Sequence, residues 1–303
     1  PTQTGVANAT VTMTAASMDN SGFEFSATYR NHDHPFKYDV SANLSTLKNK
    51  VTSLGFGTKS YITGAYATYV GQEIGQFYGW VYEGLARTQS DLDNHATQQG
   101  ANIGDCLYKD ISGPNGEPDG VIDAYDQTVL GSGLPKVNFG LSAHMEYKNF
   151  DLSISTYGVL NYHVSDDIYN SLNSCYGWGN KDVAMADANR FSEDGSTYLS
   201  SVPRTYAANK ATLAWNDLFS SRKIQNAAYW KIANVELGYN FPDQWFRGLV
   251  SGVRVYVSAQ NLYTFTGYKG YNVDYAGGTF TPGYNFCSFP SARSFMAGLH
   301  FTF

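Results

Sequence analysis

The sequence predicts an all-β fold, and within that class an antiparallel β-barrel that crosses a membrane. Three observations point there. Long segments alternate strictly between apolar and polar residues, aromatic residues gather near the ends of the apolar faces, and the connections are by turns very short and very long. Composition agrees: 16% of the 303 residues are aromatic and only 15% charged, with 30 glycines and a net charge of -6. A soluble domain carries about 25% charged residues. No run approaches the roughly 18 apolar residues of a spanning helix.

The elements follow in order. In GFEFSATYRN, Phe23, Phe25, Ala27 and Tyr29 alternate with Glu24, Ser26, Thr28 and Arg30, the period of a strand with one wet face. After a short turn at residues 31–35, Phe36, Tyr38, Val40, Ala42 and Leu44 repeat the pattern, so the two segments read as a hairpin. The pattern returns in Val137, Phe139, Leu141, Ala143, Met145 and Tyr147, turns at Lys148 and Asn149, and resumes in Phe150, Leu152 and Ile154. Near the end, Ala233, Val235, Leu237, Tyr239 and Phe241 oppose Asn234, Glu236 and Asn240. Val253, Val255, Val257 and Ala259 oppose Arg254, Tyr256, Ser258 and Gln260, and the last strand carries Phe295, Ala297, Leu299, Phe301 and Phe303.

A soluble sandwich also alternates. Strands of about nine to thirteen residues suit a tilted bilayer crossing better than a sandwich, whose strands average five or six. Tyr29, Tyr147, Tyr229, Tyr239, Phe241, Tyr263, Phe265 and Phe303 fit the aromatic girdles of outer-membrane barrels. Short connections at 31–35, 148–149 and 242–252 against long ones at 87–135, 165–228 and 266–292 match their asymmetry of turns and loops.

Several function classes drop out. A mildly acidic chain without a basic stripe has no footprint for nucleic acid. Catalysis finds no support, since GxSxG, HExxH and P-loop patterns are lacking and His32, His34, His95, His144, His163 and His300 are scattered. Cys106, Cys175 and Cys287 lack CxxC spacing and are odd in number; a disulfide between two of them is open, and the sequence does not choose the pair. PTQTGVANATVTM has neither the basic nor the apolar region of a signal peptide, so an exported protein would begin upstream of Pro1.

The motifs GQFYGWVYEGL, YKNFDLSI and VSAQNLYTFTGYKGYN, in that order, resemble the C-terminal barrel portion of SusC/RagA-family TonB-dependent transporters of the Bacteroidota outer membrane. The resemblance spans nearly all of residues 1–303. It implies a barrel of about 22 strands, of which this chain supplies about the last nine, with the plug and first strands preceding Pro1. Nine requires one further pair of strands between residues 49 and 87, turning at Gly71 to Gly75 and rising through Gln76 to Glu83. An odd number cannot close alone.

The stretch KDISGPNGEPDGVIDAYD reads as an EF-hand-like loop, which needs oxygen ligands at alternate positions and a Gly at the sharp turn. Asp119, Val121, Asp123 and Asp126 fit its second half, with Gly120 at the turn; Asp110 and Ser112 fit the start less well, because Gly113 to Pro118 lengthens it. The expected ligand is a structural Ca2+, or Mg2+. The alternative is an acidic turn that is merely solvated.

The resemblance also implies active import driven by TonB, a SusD-like surface lipoprotein over the mouth, a dimer of that pair, and surrounding outer-membrane lipid and lipopolysaccharide. Its cargo would be a glycan oligomer, with peptide as the alternative. Arg254, Gln260, Asn234, Glu236, His300 and His144 would line the lumen. Tyr176, Trp178, Tyr206, Trp215, Tyr271, Tyr275 and Tyr284 could stack on sugar rings, although loop aromatics mostly pack loops together. A passive porin and a calcium-stabilised soluble adhesion domain are the readings from other classes.

Overall fold

A computed structural model describes residues 16–303 apart from 56, 177–178, 206–214, 247–249 and 275–276. Seven strands form its main sheet: β1 (Glu24–Asn31), β2 (Phe36–Thr46), β3 (Val137–Tyr147), β4 (Phe150–Leu160), β5 (Tyr229–Phe241), β6 (Gly252–Thr266) and β7 (Ser294–Thr302). They lie in chain order, each antiparallel to the next. Short connections, 32–35, 148–149 and 242–251, join them at one end and long excursions, 47–136, 161–228 and 267–293, at the other. Among the described residues no helix is long and apolar enough to cross a membrane.

The register explains the alternation. Phe36, Tyr147, Phe150, Tyr239, Val255 and Leu299 form one transverse row, and Phe25, Leu44, Phe139, Gly158, Trp230 and Phe265 form another on the same face. Phe25, Phe36, Phe150, Phe265 and Leu299 are exposed there. In water so large an apolar surface would aggregate, whereas in lipid it is the required outer wall. Eight residues separate Phe36 from Leu44 on β2. That is about 27 Å along the strand and, at a tilt of about 40°, about 20 Å of height. Aromatic contacts mark both rows: Phe150 and Tyr239 meet at 4.8 Å, and Trp230 stacks on Phe265 at 5.3 Å.

The expected count of nine strands is corrected to seven among the described residues. β2 pairs directly with β3 from Thr46↔Val137 to Phe36↔Tyr147, which leaves no room for an inserted pair. An ascending strand and a descending one joined by an outside excursion already satisfy parity. The segments read as the extra pair are strands of four residues, Ser60–Thr63, Tyr66–Tyr69 and Gln76–Gly79, too short to cross. With Thr128–Ser132 they build a separate sheet beyond the barrel wall. Its turn does fall at Gly71 and Gly75, both at positive φ. The hairpin β1–β2 continues past the sheet as Ser17–Ser21 paired with Lys48–Ser53. Gly22 makes that crossing possible, since a Cβ there would stand 1.9 Å from the Thr46 carbonyl oxygen.

One register slip was invisible in the alternation. The ladder passes from Asn234 to Ile232 against Ser155 and Thr156, so Ala233 is a bulge. Beyond it the faces exchange parity. Ile232 and Trp230 turn outward, while Lys231 and Tyr229 turn inward, opposite Tyr157 and Val159. Tyr229 is therefore not a girdle residue; it is buried in an inner cluster with Val159, Tyr162, Val164, Ala227, Tyr268 and Val273.

Candidate functional site

The inner face of the sheet is polar, and the residues expected to line a lumen lie on it. Arg254 pairs with His300 and Asn240, Asn234 with Gln260, and Ser153 with both His144 and Glu236. Arg254 organises this face. Its Nε donates to Asp151 Oδ2 at 3.1 Å and its Nη2 donates to Asp151 Oδ1 and, at 2.8 Å, to Glu236 Oε1. Asn240 Nδ2 adds a 3.0 Å bond to Asp151 Oδ2. Gly238 leaves the room for this: a Cβ there would lie 2.4 Å from both Arg254 Nη2 and Asp151 Oδ2. The guanidinium also sits 5.2 Å from the centre of the Tyr256 ring, which itself covers Gly298.

Smaller pairs extend the wall. His144 lies 2.9 Å from Ser153 Oγ and 3.1 Å from Glu146 Oε1, and Arg30 and His32 flank Asp39. Charges of both signs, paired across strands, give a wettable surface without a strong field of one sign. Nearer the loop end, the buried Lys231 donates to Asp274 Oδ2 at 2.5 Å, and Tyr157 donates to Asp274 Oδ1 at 3.2 Å. Asp274 thus ties the third excursion to the wall.

The first two excursions share one core. Leu85, Cys106, Tyr108 and Ile122 of 47–136 pack with Tyr198 and Trp215 of 161–228. At its margin, Arg204 grips Asp105 through Nε and Nη2 at 2.5 and 2.8 Å. Asn216 Nδ2 and the Asn102 amide donate to the same carboxylate, each at 2.8 Å. Such fork-to-fork geometry fixes orientation as well as attraction. A second tie holds 161–228 to 267–293, where buried Asp166 accepts from Tyr268 OH, from Asn285 Nδ2 at 3.0 Å and from the Tyr169 amide at 2.7 Å. Thr88 and Asp91 form a capping box on a one-turn helix at Gln89–Asp93, and the Thr88 and Arg87 amides hold the Asp91 carboxyl below its usual range.

The acidic loop closes on itself through its amides. Asp126 is fully buried and accepts from Ile111 and Ser112 with Oδ1 and from Asp123 with Oδ2. Asp110 Oδ2 accepts from Gly120, Asp119 Oδ1 from Val121 and Asp123 Oδ1 from Tyr125. Among the described residues no three acidic, histidine or cysteine side chains converge to hold an ion. Asp110 Oδ1 is nevertheless buried without a hydrogen-bond partner.

Of the loop aromatics, Trp215 is a core residue whose indole donates to the Gln99 carbonyl at 2.9 Å. Tyr176 and Tyr284 are half-buried, Tyr271 is exposed, and Trp178, Tyr206 and Tyr275 lie outside the described residues. Sequence reasoning missed Asp105, Arg204, Asp166 and Asp274, whose long-range partners Arg204, Asp105, Asn285 and Lys231 lie 43 to 119 positions away.

No family model matches the chain. It is 29% identical over 306 residues to TonB-dependent receptor P3 of Formosa agariphila, covering 94% of this chain and 29% of that protein. It is 26% identical over 309 residues to TonB-dependent receptor SusC of Bacteroides thetaiotaomicron, covering 98% and 27%. These relatives are receptors, not enzymes. In fold it is similar to the structure of the RagAB peptide transporter, with a TM-score of 0.72, 21% identity, and coverage of 95% of this chain and 29% of that one. The chain spans under a third of the length of each.

Proposed function

We propose that this chain, a barrel portion of a SusC/RagA-type TonB-dependent receptor in the bacterial outer membrane, lines an energised route for nutrient import, with glycan oligomers as cargo. The observation that carries this reading is the two-faced sheet: an apolar wall about 20 Å tall backed by the paired charges of Arg254, Asp151 and Glu236. The loop end, facing outward, would meet a SusD-like lipoprotein. TonB would act through segments outside this chain, lipid and lipopolysaccharide would surround the apolar face, and the transporter–lipoprotein pair would dimerise. Fold similarity to a peptide transporter favours peptide cargo as the second reading.

Uptake of labelled oligosaccharides and of labelled peptides by intact cells tests this, with the gene present or deleted and with or without a protonophore. Glycan entry that needs both the gene and the energised membrane supports the proposal. Entry of peptides alone selects the second reading, and entry that survives the protonophore indicates a passive porin.

For residues 110–126 we propose a structural Ca2+, or Mg2+, held by Asp110, Asp119 and Asp123 with Ser112, the Val121 carbonyl and Asp126. The partnerless oxygen of Asp110 supports it. As the side chains stand they do not converge, so binding would turn Asp119 and Asp123 away from their amides. Thermal unfolding of the whole purified protein decides: a chelator lowers Tm if the ion is bound, and leaves it unchanged if amides alone close the loop.

A further inference from the structure

The joint between the first two excursions borders an open cleft of about 630 Å3, separate from the barrel wall and from the acidic loop. Ligand pockets span roughly 300–1,000 Å3. Leu92, Ala96, Ala101 and Ile103 supply its apolar lining, the last three packed against the shared core. Gln98, also in the lining, is buried and already engaged: its Nε2 donates to the Cys106 carbonyl at 2.8 Å and its Oε1 accepts from the Tyr108 amide at 3.3 Å.

The remaining lining combines polar groups with one aromatic ring. Gln89 Nε2 donates to Asp93 Oδ1 at 2.9 Å, Asn102 Nδ2 donates to the Gly100 carbonyl at 2.9 Å, and Arg204 donates to Asp105 through Nε and Nη2. Gln89 Oε1, Asp93 Oδ2, Asn102 Oδ1 and Arg204 Nη1 take no part in those bonds. The ring is Phe191, which is exposed and set edge to face against the core residue Tyr198, with the ring centres 5.0 Å apart.

We propose that this cleft is a capture subsite for a neutral oligosaccharide, an inference that rests on the reading of the cargo as glycan. Phe191 would take the C–H face of a pyranose ring, and Gln89, Asp93, Asn102 and Arg204 would bond its hydroxyls. Each of these polar side chains is held in place by the bonds above, so little side-chain freedom is lost on binding. Charge selects the class. Arg204 is matched by Asp105, and Asp93 is bonded to an amide rather than to a cation, so a uronate or sulfate would meet negative charge. A peptide added as a strand needs free backbone. Here the backbone is engaged: the Thr97 amide donates to the Gly120 carbonyl, the Ile122 amide to the Thr97 carbonyl and the Ala101 amide to the Gln98 carbonyl.

The test uses the detergent-purified full-length receptor on an array of neutral oligosaccharides, uronate-bearing oligosaccharides and peptides. The expected result is retention of neutral oligosaccharides, with Kd about tenfold weaker in Phe191→Leu and in the double variant Gln89→Ala, Asp93→Ala. Phe191→Leu keeps an apolar side chain against Tyr198 and Phe191→Tyr keeps the ring, so binding lost in the first and retained in the second reports on the ring and not on folding. Neutral glycans bound equally by wild type and both weakened variants would overturn the subsite and leave glycan import standing. So would glycan uptake by intact cells with no neutral oligosaccharide retained on the array. Retention of uronate-bearing chains alone overturns the neutral class, and retention of peptides alone overturns the subsite together with the glycan reading beneath it.

Discussion

Replacing Asp105 with alanine should open the joint between the first two excursions while leaving the barrel wall intact. The carboxylate is 5% exposed and receives bonds from Arg204, Asn216 and the Asn102 amide, whereas the Arg204 side chain is 32% exposed. Breaking a buried pair costs about 3–5 kcal/mol. Arg204 can turn to water, which lowers that figure, but the buried Asn216 amide cannot, at about 1–3 kcal/mol for an unsatisfied group. The net loss is about 3 kcal/mol, or roughly a hundredfold in local opening. Hydrogen exchange with mass spectrometry on the detergent-purified protein reads this directly. Peptides covering residues 102–108 and 198–205 should exchange roughly a hundredfold faster, with β2–β5 unchanged. Rates within a few-fold of wild type would refute the view that this carboxylate joins the excursions.

Gly238→Ala should force Arg254 off Asp151, lowering stability by about 1–3 kcal/mol in denaturant titrations, with little change if the ion pair gives way freely. Leu237→Arg on the lipid face should cost about 2–4 kcal/mol in vesicles, while Gln260→Arg on the inner face is tolerated; equal effects would invalidate the assignment of faces. Asp194 accepts from the Ser192 hydroxyl and from the Ser196 amide and hydroxyl, which brings its carboxyl down to about 2. Its folded value is depressed, so its contribution is complete above the unfolded value of about 3.9 and is lost as pH falls towards 2. Protection of the Ser196 amide, read by NMR, should fade across that window and not above it.

What the sequence made legible was local. Alternation depends only on which way successive side chains point, so the faces of β2, β3, β6 and β7 could be read directly. Strand count could not, because short strands outside the membrane show the same alternation as longer ones inside it: QFYG buries Phe77 against the rings of Tyr66 and Phe219, not against lipid. Tyr229 was misplaced for a related reason. A bulge at Ala233 changes parity without changing composition. The acidic loop was visible as a cluster of carboxylates, but their engagement by backbone amides depends on how the loop closes. The joint of Asp105 with Arg204 and Asn216 left no trace in the sequence, since its members are 99 and 111 positions apart.

The shared core of the excursions bears on how such a protein can diversify. Surface loops are ordinarily the segments freest to drift, because few neighbours constrain them. Here Tyr108, Tyr198 and Trp215 fill one interior, so a change at any of them must be matched on another excursion. Freedom to vary is left to positions such as Tyr271, Val183 and Phe289, which stand out from the head with much of their surface in water. Substitution at those tips would leave the shared interior undisturbed, one residue at a time.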